Sequence, residues 1–133
     1  MRPLLYHQPL KIHQLRAQLI NNIKLHPAMK IASSHISYKD IRRLKLTESD
    51  MSDIIDEICA IEGYDVFFLL VELKNYVKGS LRAMTRLNVS LFAQELGGGG
   101  NRYAAGFILP NLSLKKAEQK VLATIKKVGF HKV

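Results

Sequence analysis

Hydrophobic positions recur at helical spacing from Pro9 to Lys24, where Leu10, Ile12, Leu15, Leu19, Ile20 and Ile23 share one broad face. Lys11, Gln14, Gln18 and Asn21 stand opposite, which predicts an amphipathic first helix. Met29 to Ile36 alternates roughly and reads as a strand, and Ser37-Tyr38-Lys39-Asp40 then starts a short helical turn through Arg42 and Leu44. Thr47 fits an N-cap, with Asp50 at the capping-box position. The helix it opens buries Ile54, Ile55, Ile58 and Ile61, and Gly63 stops it. Val66 to Lys74 is apolar and β-rich, Asn75-Tyr76 turns the chain, and Val77 to Met84 completes a predicted hairpin. A helix over Val89 to Leu96 leads to four glycines, and Tyr103 to Leu109 reads as a further strand ended by Pro110-Asn111. Ser113 caps a last helix whose apolar face is Leu114, Ala117, Val121, Ile125 and Val128.

The sum is an α+β domain with a single mixed sheet of about four to five strands covered by helices. A chain of 133 residues, 47% hydrophobic and 23% charged, suits one domain with a modest core. The longest apolar run, Val66 to Val71, is far too short to span a membrane, so no membrane partner is expected. Met1-Arg2-Pro3-Leu4-Leu5-Tyr6-His7 has neither a long apolar core nor a small-residue cleavage site, so no signal peptide is expected there. The single cysteine, Cys59, lies in an apolar stretch and cannot form an internal disulfide, which makes a reduced, cytoplasmic setting the simplest inference.

Charge sharpens this picture. From Met1 to Glu72 nine basic and nine acidic side chains balance, whereas Leu73 to Val133 carries eleven basic against two acidic, the whole of the +9 net charge. That asymmetry suits a phosphate-rich partner. For Lys115, Lys116, Lys120, Lys126 and Lys127 a plainly solvated helix face is an equal reading.

The glycines carry the strongest chemical signal. Gly97 to Gly100 are costly to order, so within a compact domain they imply a backbone task that a side chain would prevent. Close approach of bare N–H groups to a phosphate is one such task; a flexible linker is the alternative.

The surrounding residues form a wider pattern. Lys78-Gly79-Ser80-Leu81-Arg82, a short helical stretch, and then Gly97-Gly98-Gly99-Gly100-Asn101-Arg102-Tyr103-Ala104-Ala105-Gly106-Phe107 resemble the DHH-associated domain, the C-terminal substrate-binding half of DHH-family phosphoesterases. The resemblance extends more weakly over residues 29 to 112. It looks most like the bacterial branch that degrades very short RNA and dephosphorylates 3′-phosphoadenosine-5′-phosphate. It implies a helical connecting segment over residues 1–27 and a substrate-binding domain over 28–133. The implied job is to grip the phosphate of a short single-stranded RNA or DNA, or of a 3′,5′-bisphosphorylated adenosine. A separate N-terminal DHH domain, holding two divalent metals (manganese or magnesium), would then cut it.

By that resemblance Arg82 contacts substrate phosphate, which a bidentate guanidinium suits, with Ser80 beside it on the same strand face. Gly97, Gly98, Gly99 and Gly100 supply N–H groups to the phosphate or terminal sugar. Asn101 stands where the family pattern has histidine; an asparagine donates a hydrogen bond but carries no charge. Arg102 is placed to restore that charge. Tyr103 reads either as a base-stacking platform or as a packed core residue.

No catalytic or metal-binding residue is expected in this chain. It has no Asp-x-Asp and no Asp-His-His, and His7, His13, His26, His35 and His131 are scattered without paired carboxylates. Its status as part of a hydrolase therefore rests on the resemblance alone. A second reading is a free-standing nucleic-acid-binding module without hydrolytic activity, like the related tRNA-contacting domain that ends alanyl-tRNA synthetases. A third is a degenerate structural domain in which Asn101 marks lost activity. Self-association as a homodimer stays open.

Overall fold

A computed structural model describes residues 8–129. His7, His131, the leader reading of the first seven residues and the outer ends of both proposed segments lie outside that range. The helices are α1 (Leu10–Asn21), α2 (Tyr38–Arg43), α3 (Glu48–Ser52), α4 (Ile55–Ile58), α5 (Val89–Glu95) and α6 (Leu114–Val128). The strands are β1 (Lys24–His26), β2 (Ile31–Ile36), β3 (Val66–Glu72), β4 (Tyr76–Ala83), β5 (Gly99–Gly100) and β6 (Ala104–Pro110). They form one sheet in the order β1-β2-β3-β4-β6-β5. β2 and β3 are parallel and every other pair is antiparallel, so the sheet is mixed. Six strands replace the four to five expected, because two short edge strands carry no alternating pattern.

Strand alternation divides the core in two. On one face Val66, Phe68, Leu70, Val77, Leu81, Ala105, Phe107 and Leu109 pack against Val89, Phe92, Ala93 and Leu96 of the α5 segment and against Ala117, Val121 and Ile125 of α6. The other face packs Ala32, Ile36, Phe67, Leu69 and Val71 under Leu15, Leu19, Ile41, Met51, Ile54, Ile55 and Ile58 from α1 to α4. Each large side chain buried this way contributes about 1.5–3 kcal/mol. The single buried cysteine, Cys59, belongs to this second cluster as a free thiol. Burial, then the charge of Asp56, pushes its thiol above the ordinary value, with Arg82 partly offsetting.

Local signals act as expected at several points. Ser37 caps α2 by accepting from the Asp40 N–H at 3.1 Å. Thr47 and Asp50 form a full capping box on α3, and Lys11 closes on Asp50 at 2.9 Å. The predicted hairpin is β3–β4, with the Leu73 N–H donating to the Tyr76 carbonyl. Two expectations change. The first helix buries only Leu15 and Leu19, leaving Leu10 and Ile20 more than half exposed. The helix opened by Thr47 is broken after Ser52, and α4 ends at Ile58 rather than running to Gly63. Met51, Ile54, Ile55 and Ile58 stand at i, i+3, i+4 and i+7, and all four still pack in the second core cluster across the break.

Candidate functional site

The helices α1 to α4 cover β2 and β3 but stop short of β4 and β6. The uncovered strip of the same sheet face carries Lys78, Ser80 and Arg82 from β4, set opposite Ile108, Gly106 and Ala104 of β6. Ile108 is 56% exposed, unusual for an isoleucine in an inner strand. Gly106 and Ala104 are small, so the strip is a shallow shelf with a polar edge. A cleft of about 100 Å³ between Lys78, Ser80 and α3 residues Glu48, Met51 and Ser52 marks where helix cover ends. On the opposite face the Phe107 ring occupies the space a side chain at Gly79 would need.

The four glycines have separate jobs. Gly97 adopts φ +86° as α5 ends, its N–H donating to the Gln94 carbonyl at 3.0 Å, a conformation L side chains resist. A Cβ at Gly98 would lie 2.0 Å from the Gly106 carbonyl oxygen, and one at Gly100 would lie 2.5 Å from the Ala105 Cα. Both let β5 close on β6. Gly99 differs: its Cβ would meet nothing within 4 Å, and its φ is ordinary. Gly99 pairs with Gly106, which pairs with Ser80, so these three stand in one row across the sheet. Directly opposed residues share a face, so Gly99 presents bare backbone to the shelf.

Arg82 reaches the other way. Its Nε donates to Asp56 Oδ1 at 2.8 Å and Nη1 to the Leu81 carbonyl at 3.0 Å, holding the guanidinium at the border of α4 and the shelf. The Asp56 side chain is 65% exposed and the Arg82 side chain only 19%, so the carboxylate stands at the surface over a largely covered guanidinium. Asn101 Oδ1 accepts from the N–H groups of Tyr103 and Ala104, at 2.8 and 2.9 Å, and its own N–H donates to the Ala104 carbonyl. That asparagine therefore shapes the β5–β6 turn, leaving its Nδ2 donor at the surface. Arg102 stacks on the exposed Tyr103 ring, 5.4 Å from its centroid, and donates to the Arg86 carbonyl at 3.2 Å. Tyr103 is 61% exposed, which excludes the core reading.

The structure thus brings Ser80, Arg82, Gly99 and the β5–β6 turn to one side of the sheet, while Arg102 turns toward the loop before α5. Sequence reasoning missed Asp56, Gly106 and Ile108. Gly106 lay in the quoted motif without a role, and only the alternation of β6 signalled Ile108; nothing links Asp56 to an arginine 26 positions on. The lysines of α6 lie on the opposite sheet face, away from the shelf. His35, also on that side, has its pKa lowered by burial and then by Lys24. Among the described residues no three His, Cys, Asp or Glu side chains come together in a group that could hold a metal ion. No helix among them is long and apolar enough to cross a membrane.

Comparison with known proteins bears on this arrangement. The DHHA1 domain profile matches residues 21–128. Over 119 residues, 90% of this chain, the sequence is 28% identical to the bifunctional oligoribonuclease and PAP phosphatase NrnA of Thermus thermophilus. The chain spans only 35% of that relative's length. An exopolyphosphatase-related protein of Bacteroides fragilis superposes with a TM-score of 0.84 at 17% identity, covering 95% of this chain and 37% of its own. A pGpG-specific phosphodiesterase of Vibrio cholerae gives a TM-score of 0.62 at 10% identity, covering 90% of this chain and 40% of its own. At those identities the two structures speak for the fold.

Proposed function

The chain belongs to the DHHA1 domain family, and we propose that it is the substrate-binding domain of a DHH phosphoesterase acting on short oligonucleotides or 3′,5′-bisphosphorylated adenosine. The observation that carries this reading is the uncovered β4–β6 shelf, where Ser80 and the bare backbone of Gly99 stand in one row and Arg82, paired with Asp56, borders it. An anion there meets a guanidinium with Nη2 uncommitted among the described residues, a hydroxyl, and peptide groups without side chains. Gly98 and Gly100 are explained by packing; no packing or backbone constraint requires glycine at Gly99, whose peptide groups stay open to a ligand on the shelf.

In this reading the domain binds and orients, and the bond is broken elsewhere. Arg82 neutralises a terminal phosphate and Ser80 donates to it, fixing which phosphodiester is presented. The metal-bearing groups belong to an N-terminal DHH domain that covers the shelf and the exposed Ile108. Cytoplasmic nucleotide turnover is the setting this proposal implies. The fluorescence anisotropy of labelled two- to five-nucleotide RNA at low salt tests it. Binding displaced by bisphosphorylated adenosine and lost with Arg82→Ala supports the reading. Preference for intact tRNA, indifferent to Arg82, supports the free-standing RNA module instead.

A further inference from the structure

The shelf leaves the basic face of α6 unused. Helix α6 packs on the far face of the sheet through Ala117, Val121, Thr124 and Ile125. Its outer side carries Lys115, Lys116, Lys120, Lys126 and Lys127, all exposed, with only Gln119 and Ala123 between them. Lys116, Lys120 and Lys127 stand at i, i+4 and i+11, and Lys115 and Lys126 form a second row beside them, giving a cationic strip about 18 Å long. No acidic residue interrupts it. Glu118 lies at its flank and pairs with Lys24 at 3.3 Å, and Glu95 meets Lys127 at 2.8 Å. Among the described residues no salt bridge reaches Lys115, Lys116, Lys120 or Lys126.

These lysines are poorly placed for helix stability. Lys115 and Lys116 occupy the first turn, where the helix dipole favours acids, and no acid is there. Lys116 and Lys120 are like charges one turn apart, which is also unfavourable. Folding therefore does not account for the pattern, and a regular polyanion does. The apolar side of α6 is spent in the core, so the helix has no exposed greasy face with which to enter a membrane surface.

We propose that the outer face of α6 is a second nucleic-acid contact, which holds the phosphodiester backbone of single-stranded RNA or DNA on the side of the sheet opposite the shelf. Charge alone drives this contact, so it is independent of base sequence and strongly weakened by salt. A ligand of a few nucleotides seated on the shelf does not need it; a longer strand does. The proposal stands apart from the shelf reading, since it uses neither Arg82 nor the glycines.

The test uses the full chain and a labelled oligouridine of about twenty nucleotides, with oligothymidine of equal length as the DNA arm, titrated between about 50 and 200 mM salt. Replacing Lys115, Lys116, Lys120 and Lys126 by Gln is expected to lower the slope of log affinity against log salt by about two to three, at roughly 0.7 per phosphate contact. Affinity at the lowest salt falls at least tenfold, while binding of a three-nucleotide RNA is unchanged. The four Lys→Arg replacements keep the slope. Arg82→Ala leaves most of the long-strand slope in place, so failure of the shelf reading shows separately. An unchanged slope in the Gln variant, with circular dichroism reporting a native fold, overturns the proposal. So does lysine-dependent binding to phosphatidylserine vesicles without a lysine-dependent RNA slope.

Discussion

Arg82 Nε sits 2.8 Å from Asp56 Oδ1, tying the strand that carries the candidate phosphate ligand to the end of the helical layer beside it. Any phosphate that takes Arg82 competes with a carboxylate already there. With the Asp56 carboxylate 65% exposed and screened by solvent, the pair is worth about 0.2–1 kcal/mol. Asp56→Asn is therefore expected to tighten binding of a short RNA by roughly two- to fivefold, on the same scale. Anisotropy titration at low salt checks this, and equal or weaker binding contradicts it.

The glycines separate packing from recognition. Gly98→Ala and Gly100→Ala force β5 off β6 and are expected to cost about 1–3 kcal/mol each in denaturant unfolding. Gly97→Ala costs on the order of 1 kcal/mol through its positive φ. Gly99→Ala adds a methyl to open space and should shift stability by no more than about 0.5 kcal/mol. The same substitution should weaken short-RNA binding at least severalfold. A destabilised or fully binding-competent Gly99→Ala protein would break the assignment of roles.

Acid should loosen the helical layer at a known point. Lys11, followed by the Thr47 N–H, holds the Asp50 carboxyl below the ordinary carboxylate range. A carboxyl with a depressed folded pKa stabilises above its unfolded value of about 4, and that stability is lost as pH falls through the folded value. Thermal melts of Asp50→Asn should therefore fall less steeply than wild type below about pH 5. Thr47→Ala should cost about 1 kcal/mol near neutral pH.

The lysine face makes an opposite prediction for stability and binding. Lys116→Glu places an acid in the first turn of α6 and a complementary partner before Lys120. It is expected to raise stability by about 0.5 kcal/mol. Calorimetry should show a higher Tm for the variant that binds long single strands less well.

The sequence spoke clearly wherever a signal was local. The Thr47–Asp50 capping box, the β3–β4 hairpin and the apolar stripe of α6 each rest on residues within a few positions of one another. It was silent on β1, whose three residues show no alternation, and on β5, where glycines hold strand geometry only because Gly106 and Ala105 receive them. The break between α3 and α4 was not legible either, since Met51, Ile54, Ile55 and Ile58 keep the i, i+3, i+4, i+7 spacing of one continuous helix. At the site, Arg82 and the glycines were legible from their motif. Asp56 was not, since its partner is far along the chain, nor was the placement of the α6 lysines behind the sheet, because charge counted along a sequence says nothing of which face carries it.

The most direct test of the central claim is a ¹⁵N–¹H correlation spectrum recorded while bisphosphorylated adenosine is titrated into the chain. The account predicts shifts at the amides of Ser80, Arg82, Gly98 to Asn101 and Gly106, together with the Arg82 Nε–H, and none along α6. Shifts confined to α6, or none on the shelf at saturating nucleotide, would contradict it.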